Sequence, residues 1–197
     1  LLDLAVGGGR RELVALLLDH GASPSLPGAD GATPLHHAVA MRRRDLALLL
    51  LDRGADPNAT DLRGQTPLFR ALGDEEMVET LLQRGADPRA ADETGDTVLH
   101  RAILMGGVGT VQRLLEAGAD INAQNAWGET PLHTAVRAGD ETALRHLLAK
   151  GALTSLRNQD GLTPLGLAFA LGRRRAADAI RNREAAERWV PPPGSGG

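Results

Sequence analysis

Thr33-Pro34-Leu35-His36 returns along the chain as Thr66-Pro67-Leu68-Phe69, Thr97-Val98-Leu99-His100, Thr130-Pro131-Leu132-His133 and Thr163-Pro164-Leu165-Gly166. The threonine therefore recurs at intervals of 33, 31, 33 and 33 residues. A second marker, Gly21-Ala22, Gly54-Ala55, Gly85-Ala86, Gly118-Ala119 and Gly151-Ala152, keeps the same step, each glycine standing 12 residues before the next threonine. Two markers locked at a fixed offset mean an array of equivalent units, each burying its apolar face against its neighbours instead of feeding one central core. Length is then no guide to domain number.

The unit of Thr130 shows what each copy builds. A threonine hydroxyl caps free helical amides, and proline suits the first turn, where its missing N–H is not needed, so Thr130-Pro131 opens a first helix. Leu132, Ala135 and Val136 follow at helical spacing, Gly139 interrupts, and Leu144, Leu147 and Leu148 form the stripe of a second helix. Gly151 terminates it in a left-handed conformation. The polar stretch from Ala152 to Gly161, with Asn158, Asp160 and Gly161, reads as a hairpin-like loop leading to the next Thr-Pro pair. Ala38, Ala71, Ala102, Ala135 and Ala168 all stand five residues after their threonines, which lets neighbouring first helices approach closely.

The period and the Thr-Pro-Leu-His-x-Ala string resemble the ankyrin repeat over roughly residues 1 to 188. The resemblance implies an all-α solenoid of stacked antiparallel helix pairs with protruding hairpin-like loops. Its units would run at about 1–29, 30–60, 61–91, 92–124, 125–157 and 158–190, with a disordered Pro/Gly tail at 191–197. The first unit lacks its threonine, which the register places just before Leu1, so more protein is expected upstream. Leu2, Ala5, Leu16, Leu17 and Leu18 are its expected core. At the other end Arg181 replaces the second Leu of the usual pair, as an end cap requires, and Trp189 is expected to pack the final helix end.

By the same resemblance the function is that of a protein–protein interaction scaffold or adaptor, monomeric, which holds a partner protein through its loop tips and the concave face of its first helices. Matching positions put Asp30, Met41, Arg63, Gln65, Glu93, Asp96, Leu104, Met105, Trp127, Glu129, Arg137 and Gln159 on that face, with Ala29, Leu62 and Leu162 beside them. Trp127 is either an interface anchor or a cover over a neighbouring loop. The alternative is that the repeats are the targeting or regulatory portion of a larger enzyme or secreted effector.

Composition narrows the chemistry. Hydrophobic residues make up 42% of the chain but aromatics only 2%, so the core must be Leu, Ala and Val. With no cysteine, thiolate metal sites, disulfides and cysteine nucleophiles are excluded, and a reducing cytoplasm is the expected location. No apolar run approaches the roughly 18 residues a membrane span needs. A net charge of −3 gives no overall attraction to nucleic acid. His36, His100 and His133 occupy one repeat position rather than one cluster, and the resemblance makes them loop-holding residues, not zinc ligands. His20 and His146 are expected to face solvent. No catalytic constellation stands outside the repeat, so neither enzymatic activity nor a cofactor is expected.

Three departures stand out. The unit of Thr66 is two residues short after Leu72, which reads as a tolerated turn deletion or as a notch between first helices. Arg10-Arg11, Arg42-Arg43-Arg44 and Arg173-Arg174-Arg175 fall at inter-helix turns and alternate with Asp74-Glu75-Glu76 and Asp140-Glu141, so they read as solvated turns rather than as a phosphate-binding stripe. Gly106-Gly107-Val108-Gly109 lacks the Lys-Ser/Thr of a phosphate loop and reads as a loose turn.

Overall fold

The computed structural model describes residues 1–105 and 107–188. Trp189 and the Pro/Gly tail lie outside them. Among the described residues there are twelve helices and no strand, with an isolated antiparallel bridge between Ala91 and Thr97. The helices come in pairs: α1 (Leu2–Gly7) with α2 (Arg11–Asp19), α3 (Pro34–Ala40) with α4 (Arg44–Asp52), α5 (Pro67–Arg70) with α6 (Glu75–Gln83) and α7 (Val98–Leu104) with α8 (Val108–Glu116). α9 (Pro131–Ala138) with α10 (Glu141–Ala149) and α11 (Pro164–Ala170) with α12 (Arg174–Arg188) complete the set. The chain forms two compact units, Leu1–Asp120 holding α1 to α8 and a second, from Ile121, holding α9 to α12.

The second helices α2, α4, α6, α8 and α10 end the same way, for a reason the Gly-Ala marker states. At the end of α4, Gly54 has φ 83° and donates to Leu51 O, while Ala55 donates to Leu50 O at 2.9 Å. This is a Schellman closure, in which the glycine supplies the left-handed turn and the next residue packs on the last helical turn. Ala55 and Leu50 are both buried. The same bond joins Ala86 to Leu81, Ala119 to Leu114 and Ala152 to Leu147. The alanines five residues after each threonine are buried, as close approach of first helices demands.

The core is Leu, Val and Ala, completed by Ile103, Ile180, Met77 and Phe69. In the first pair Leu2 and Ala5 are buried, but the expectation for α2 needs correcting: Leu16 is 54% exposed, Leu17 and Leu18 are half-buried, and Val14 is the residue of α2 sealed inside. α2 packs on α1 and α4, and Leu16 falls outside both contacts, whereas its equivalent Leu49 on α4 is buried. His20 closes α2 as an exposed cap, but His146 is half-buried with its Nε2 sealed from solvent, not solvent-facing. Gly109 lies in the first turn of α8 rather than in a loose turn, and its missing side chain leaves room for the Glu75 carboxylate. α12 runs on to Arg188, and Arg181 lies over the ring of Phe169, 4.7 Å from its centroid, covering an apolar side chain with a charged one.

Leu147 is fully buried at the Schellman contact, whereas Leu16 is largely in water. Leu147→Ala should therefore cost about 2–5 kcal/mol in urea denaturation, and Leu16→Ala should change stability by no more than about 0.5 kcal/mol. Equal costs at the two positions would show that the register is wrong.

Candidate functional site

The loop tips before Thr66, Thr97, Thr130 and Thr163 are built by an Asx residue five positions before the threonine, while the first tip has Gly28 there and uses Asp30, which accepts from the Ala32 N–H at 3.1 Å. Asp61 Oδ1 accepts from the backbone N–H of Arg63 at 2.9 Å and of Gln65 at 3.0 Å; Asn125 Oδ1 does the same for Trp127 and Glu129 at 3.0 and 2.9 Å. Asp92 serves Thr94 and Asp96, and Asn158 serves Leu162. A side-chain oxygen thereby does the work of a backbone acceptor in a tight turn. Sequence reasoning noted only Asn158 among these four, although their spacing of 31, 33 and 33 residues repeats that of the threonines.

Successive tips are then sewn together through the backbone. Leu62 N–H donates to Asp30 O at 3.1 Å, Glu93 N–H to Arg63 O at 2.9 Å and Gln159 N–H to Trp127 O at 2.9 Å. Glycine two residues before the threonine makes this approach possible. At Gly31, where φ is 77°, a Cβ would stand 2.7 Å from Leu62 N. Any side chain there would collide with the next tip as well as strain its own backbone.

The first helices are tied to the tips by histidine. Thr33 N–H donates to His36 Nδ1 at 3.0 Å; a backbone N–H only donates, so Nδ1 carries no proton. The proton sits on Nε2, which donates to Gln65 O of the following loop at 2.9 Å. His133 repeats the arrangement, with Thr130 N at 3.2 Å and Leu162 O at 3.0 Å, and His100 accepts from Thr97 N at 3.2 Å. Burial pushes the pKa of His36 and His133 below the ordinary imidazole value, against the opposing pull of the Gln65 and Leu162 carbonyls. Among the described residues no group of three or more metal-ligating side chains could hold an ion.

The anticipated binding residues divide into three sets. Asp30, Arg63, Glu93, Trp127 and Gln159 stand exposed on the tips, Trp127 at 52%, and Met41, Leu104 and Met105 are exposed at the ends of α3 and α7. Gln65, Asp96 and Glu129, one residue before their threonines, lie lower: the first two are half-buried, and Glu129 is 8% exposed and paired with Arg137. That pairing, with Glu129 the leading cause, holds the Arg137 guanidinium above its ordinary pKa. Asp61 shows the same device. Burial works to raise its carboxyl, but bonds from Arg70 at 2.7 Å and from the Gln65 and Arg63 amides outweigh it and leave it below the usual carboxylate value.

The arginines of the inter-helix turns are not merely solvated. Arg11 Nη1 donates to Asp45 O at 2.7 Å, Arg43 Nη2 to Gly9 O at 3.0 Å and Arg173 Nη2 to Arg137 O at 3.2 Å, while Arg44 pairs with Glu76 and Arg175 with Glu141. Each reaches the neighbouring repeat. The Thr66 repeat is the weak copy: α5 has four residues where α3 and α7 have seven, and Phe69 replaces the histidine. Thr66 Oγ1 is accordingly buried without a hydrogen-bond partner.

Three overlapping stretches, residues 1–61, 54–125 and 99–187, match the family described as ankyrin repeats (3 copies). No curated protein matches the chain.

The histidine geometry sets a pH dependence. His36 and His133 are neutral in the fold, and their folded pKa values lie below the unfolded value of about 6.5. The unfolded chain therefore takes up protons first as pH falls, so stability is fully present above about pH 6.5 and declines below it. Urea midpoints should be lower at pH 5.5 than at 7.5, with the difference reduced in His36→Gln/His133→Gln. A midpoint that does not move across this range would contradict the neutral, Nε2-protonated assignment.

Proposed function

Because the chain belongs to the ankyrin-repeat family, whose repeats are generally protein–protein interaction modules, we propose that it is a non-catalytic scaffold or adaptor that binds a partner protein through its loop tips and the concave face of its first helices. The observation that carries the reading is the division of labour in the tips. Their shape is held by backbone bonds, Asx caps and glycine, so among the described residues the side chains of Arg63, Glu93 and Trp127 project without structural duty of their own, while Asp30 accepts from the Ala32 N–H at 3.1 Å and Gln159 donates to Ala126 O. A mixed set of aromatic, apolar and charged groups on a rigid backbone suits a protein interface. The six-unit division from residue 1 to 190 is part of the same proposal. Among the described residues no helix is long and apolar enough to cross a membrane. Carboxylate or backbone partners on most of the turn arginines favour a protein ligand over a nucleic acid.

Trp127 is the proposed anchor of the second compact unit. Its backbone is part of the tip ladder, but half of its surface is in water, an expensive arrangement for a residue enriched in binding hot spots. Once a partner is in hand, Trp127→Ala should weaken binding by about 2 kcal/mol or more in calorimetry while leaving the urea midpoint nearly unchanged. A variant that unfolds would make the ring loop core; one that alters neither quantity would place the interface elsewhere.

A further inference from the structure

We propose that the shortened Thr66 repeat opens a docking notch, in the first compact unit, for an acidic amphipathic helical segment of the partner. The proposal rests on the protein-binding reading above and names the chemistry of what binds. α5 lies between α3 and α7 and stops at Arg70, three residues short of its neighbours' length. The chain continues from Arg70 as the turn Ala71–Gly73, with Ala71 and Leu72 buried and Gly73 exposed, so the space left between the ends of α3 and α7 is that of the two deleted residues.

The side chains around that space are exposed and apolar. Met41 closes α3 and is 41% exposed; Leu104 and Met105 end α7 at 49% and 61%. Arg101, Leu104 and Met105 stand at i, i+3 and i+4, on one face of α7. The gap is bridged at Gly73, where a methyl group would meet Arg42 Nη2 at 3.1 Å and Met105 Cε at 4.0 Å. Two methionines beside one leucine make an adaptable surface that moulds to varied aliphatic and aromatic side chains.

Charge states what should lie against it. Arg42 holds φ 55°, the one left-handed non-glycine among the described residues, at the position filled by Gly9, Gly139 and Gly172 in other repeats. Such a backbone is unfavourable for a long side chain and marks a place where something other than local stability sets the residue. Among the described residues Arg42 meets the Gly73 carbonyl, at 3.1 Å, and no carboxylate. Arg101 is exposed and also has no carboxylate partner there. Arg43, Arg44 and Arg70, by contrast, are paired with Asp45, Glu76 and Asp61. Two guanidinium groups lacking counter-ions beside three apolar side chains complement carboxylates flanking an apolar stripe at i, i+3, i+4 and i+7.

The test is a phage-displayed library of 16-residue peptides selected on the immobilised full chain, with enriched peptides synthesised and measured by fluorescence anisotropy. Enriched sequences should carry aliphatic or aromatic residues at i, i+3, i+4 and i+7 with Asp or Glu beside them, and lose affinity as salt rises. Arg42→Gly, which suits the backbone, and Arg101→Gln should each weaken them about threefold or more. Inserting Ala-Met after Leu72, to restore the repeat length, should weaken them more than about tenfold while thermal melting stays cooperative. Should that insertion misfold, the two arginine variants decide. Basic or uncharged enriched peptides, no enrichment, or affinities indifferent to both arginines would overturn the notch. If the peptides instead lose affinity in Trp127→Ala, the tip-and-first-helix reading stands without the notch; if they lose it only in Glu79→Lys, on the second helix α6, that reading falls as well.

Discussion

The hydrogen bond from a threonine backbone N–H to Nδ1 of the histidine three residues later, 3.0 Å at Thr33 and 3.2 Å at Thr97 and Thr130, is the constraint on which these three repeats depend. It leaves the ring one tautomer. With its proton confined to Nε2, the imidazole is aimed at a carbonyl in the next loop, so one side chain caps its own helix and fixes the height of the adjacent tip. Protonation at Nδ1 would turn an acceptor into a donor facing a donor. The buried ring is therefore neutral, and the stacking of neighbouring repeats inherits a dependence on that neutrality.

A surface that must recognise a partner has to vary without losing its shape, and the tips meet that demand by confining structure to the backbone. The bonds between successive tips run from main chain to main chain, and glycine at positions 31, 64 and 128 removes the Cβ that would block them. The Asx oxygen five residues before the threonine holds the turn from below. Side chains three and four residues before the threonine are then spared most local duty. Arg63 in one tip and Trp127 in another sit on the same frame with quite different chemistry.

The helix pairs, their terminating glycines and the caps were legible in the sequence because each is local: the signal and the structure it produces lie within a few residues of each other. Features that depend on which neighbour lies opposite were not. The Leu run of α2 reads as core until it is seen that Leu16 meets no neighbouring element among the described residues, and His146 reads as solvent-facing until the packing that seals Nε2 is known. Arginine triplets look solvated because their acceptors, Gly9 O, Gly73 O and Arg137 O, are backbone atoms more than 30 residues away in sequence. The Asx caps lay within reach, since they share the period of the threonines. Glu129 was legible as a charge near the tip but not as the buried half of an ion pair, which only the placement of Arg137 reveals.

The Thr66 repeat shows how an array accommodates a defective copy. Losing two residues and a histidine leaves Thr66 Oγ1 buried without a partner, an arrangement that costs about 1–3 kcal/mol in a typical interior. Phe69 returns part of this by burying an aromatic ring where the imidazole would sit. The preceding repeat adjusts too: Arg42 stands in the left-handed position held by glycine elsewhere, and its guanidinium reaches across to the shortened turn at Gly73. Were packing alone at issue, glycine at residue 42 would remove the backbone strain and a seven-residue α5 would leave no gap to span. The arginine is therefore better understood together with the gap it crosses and with the exposed methionines on either side, as parts of one surface feature.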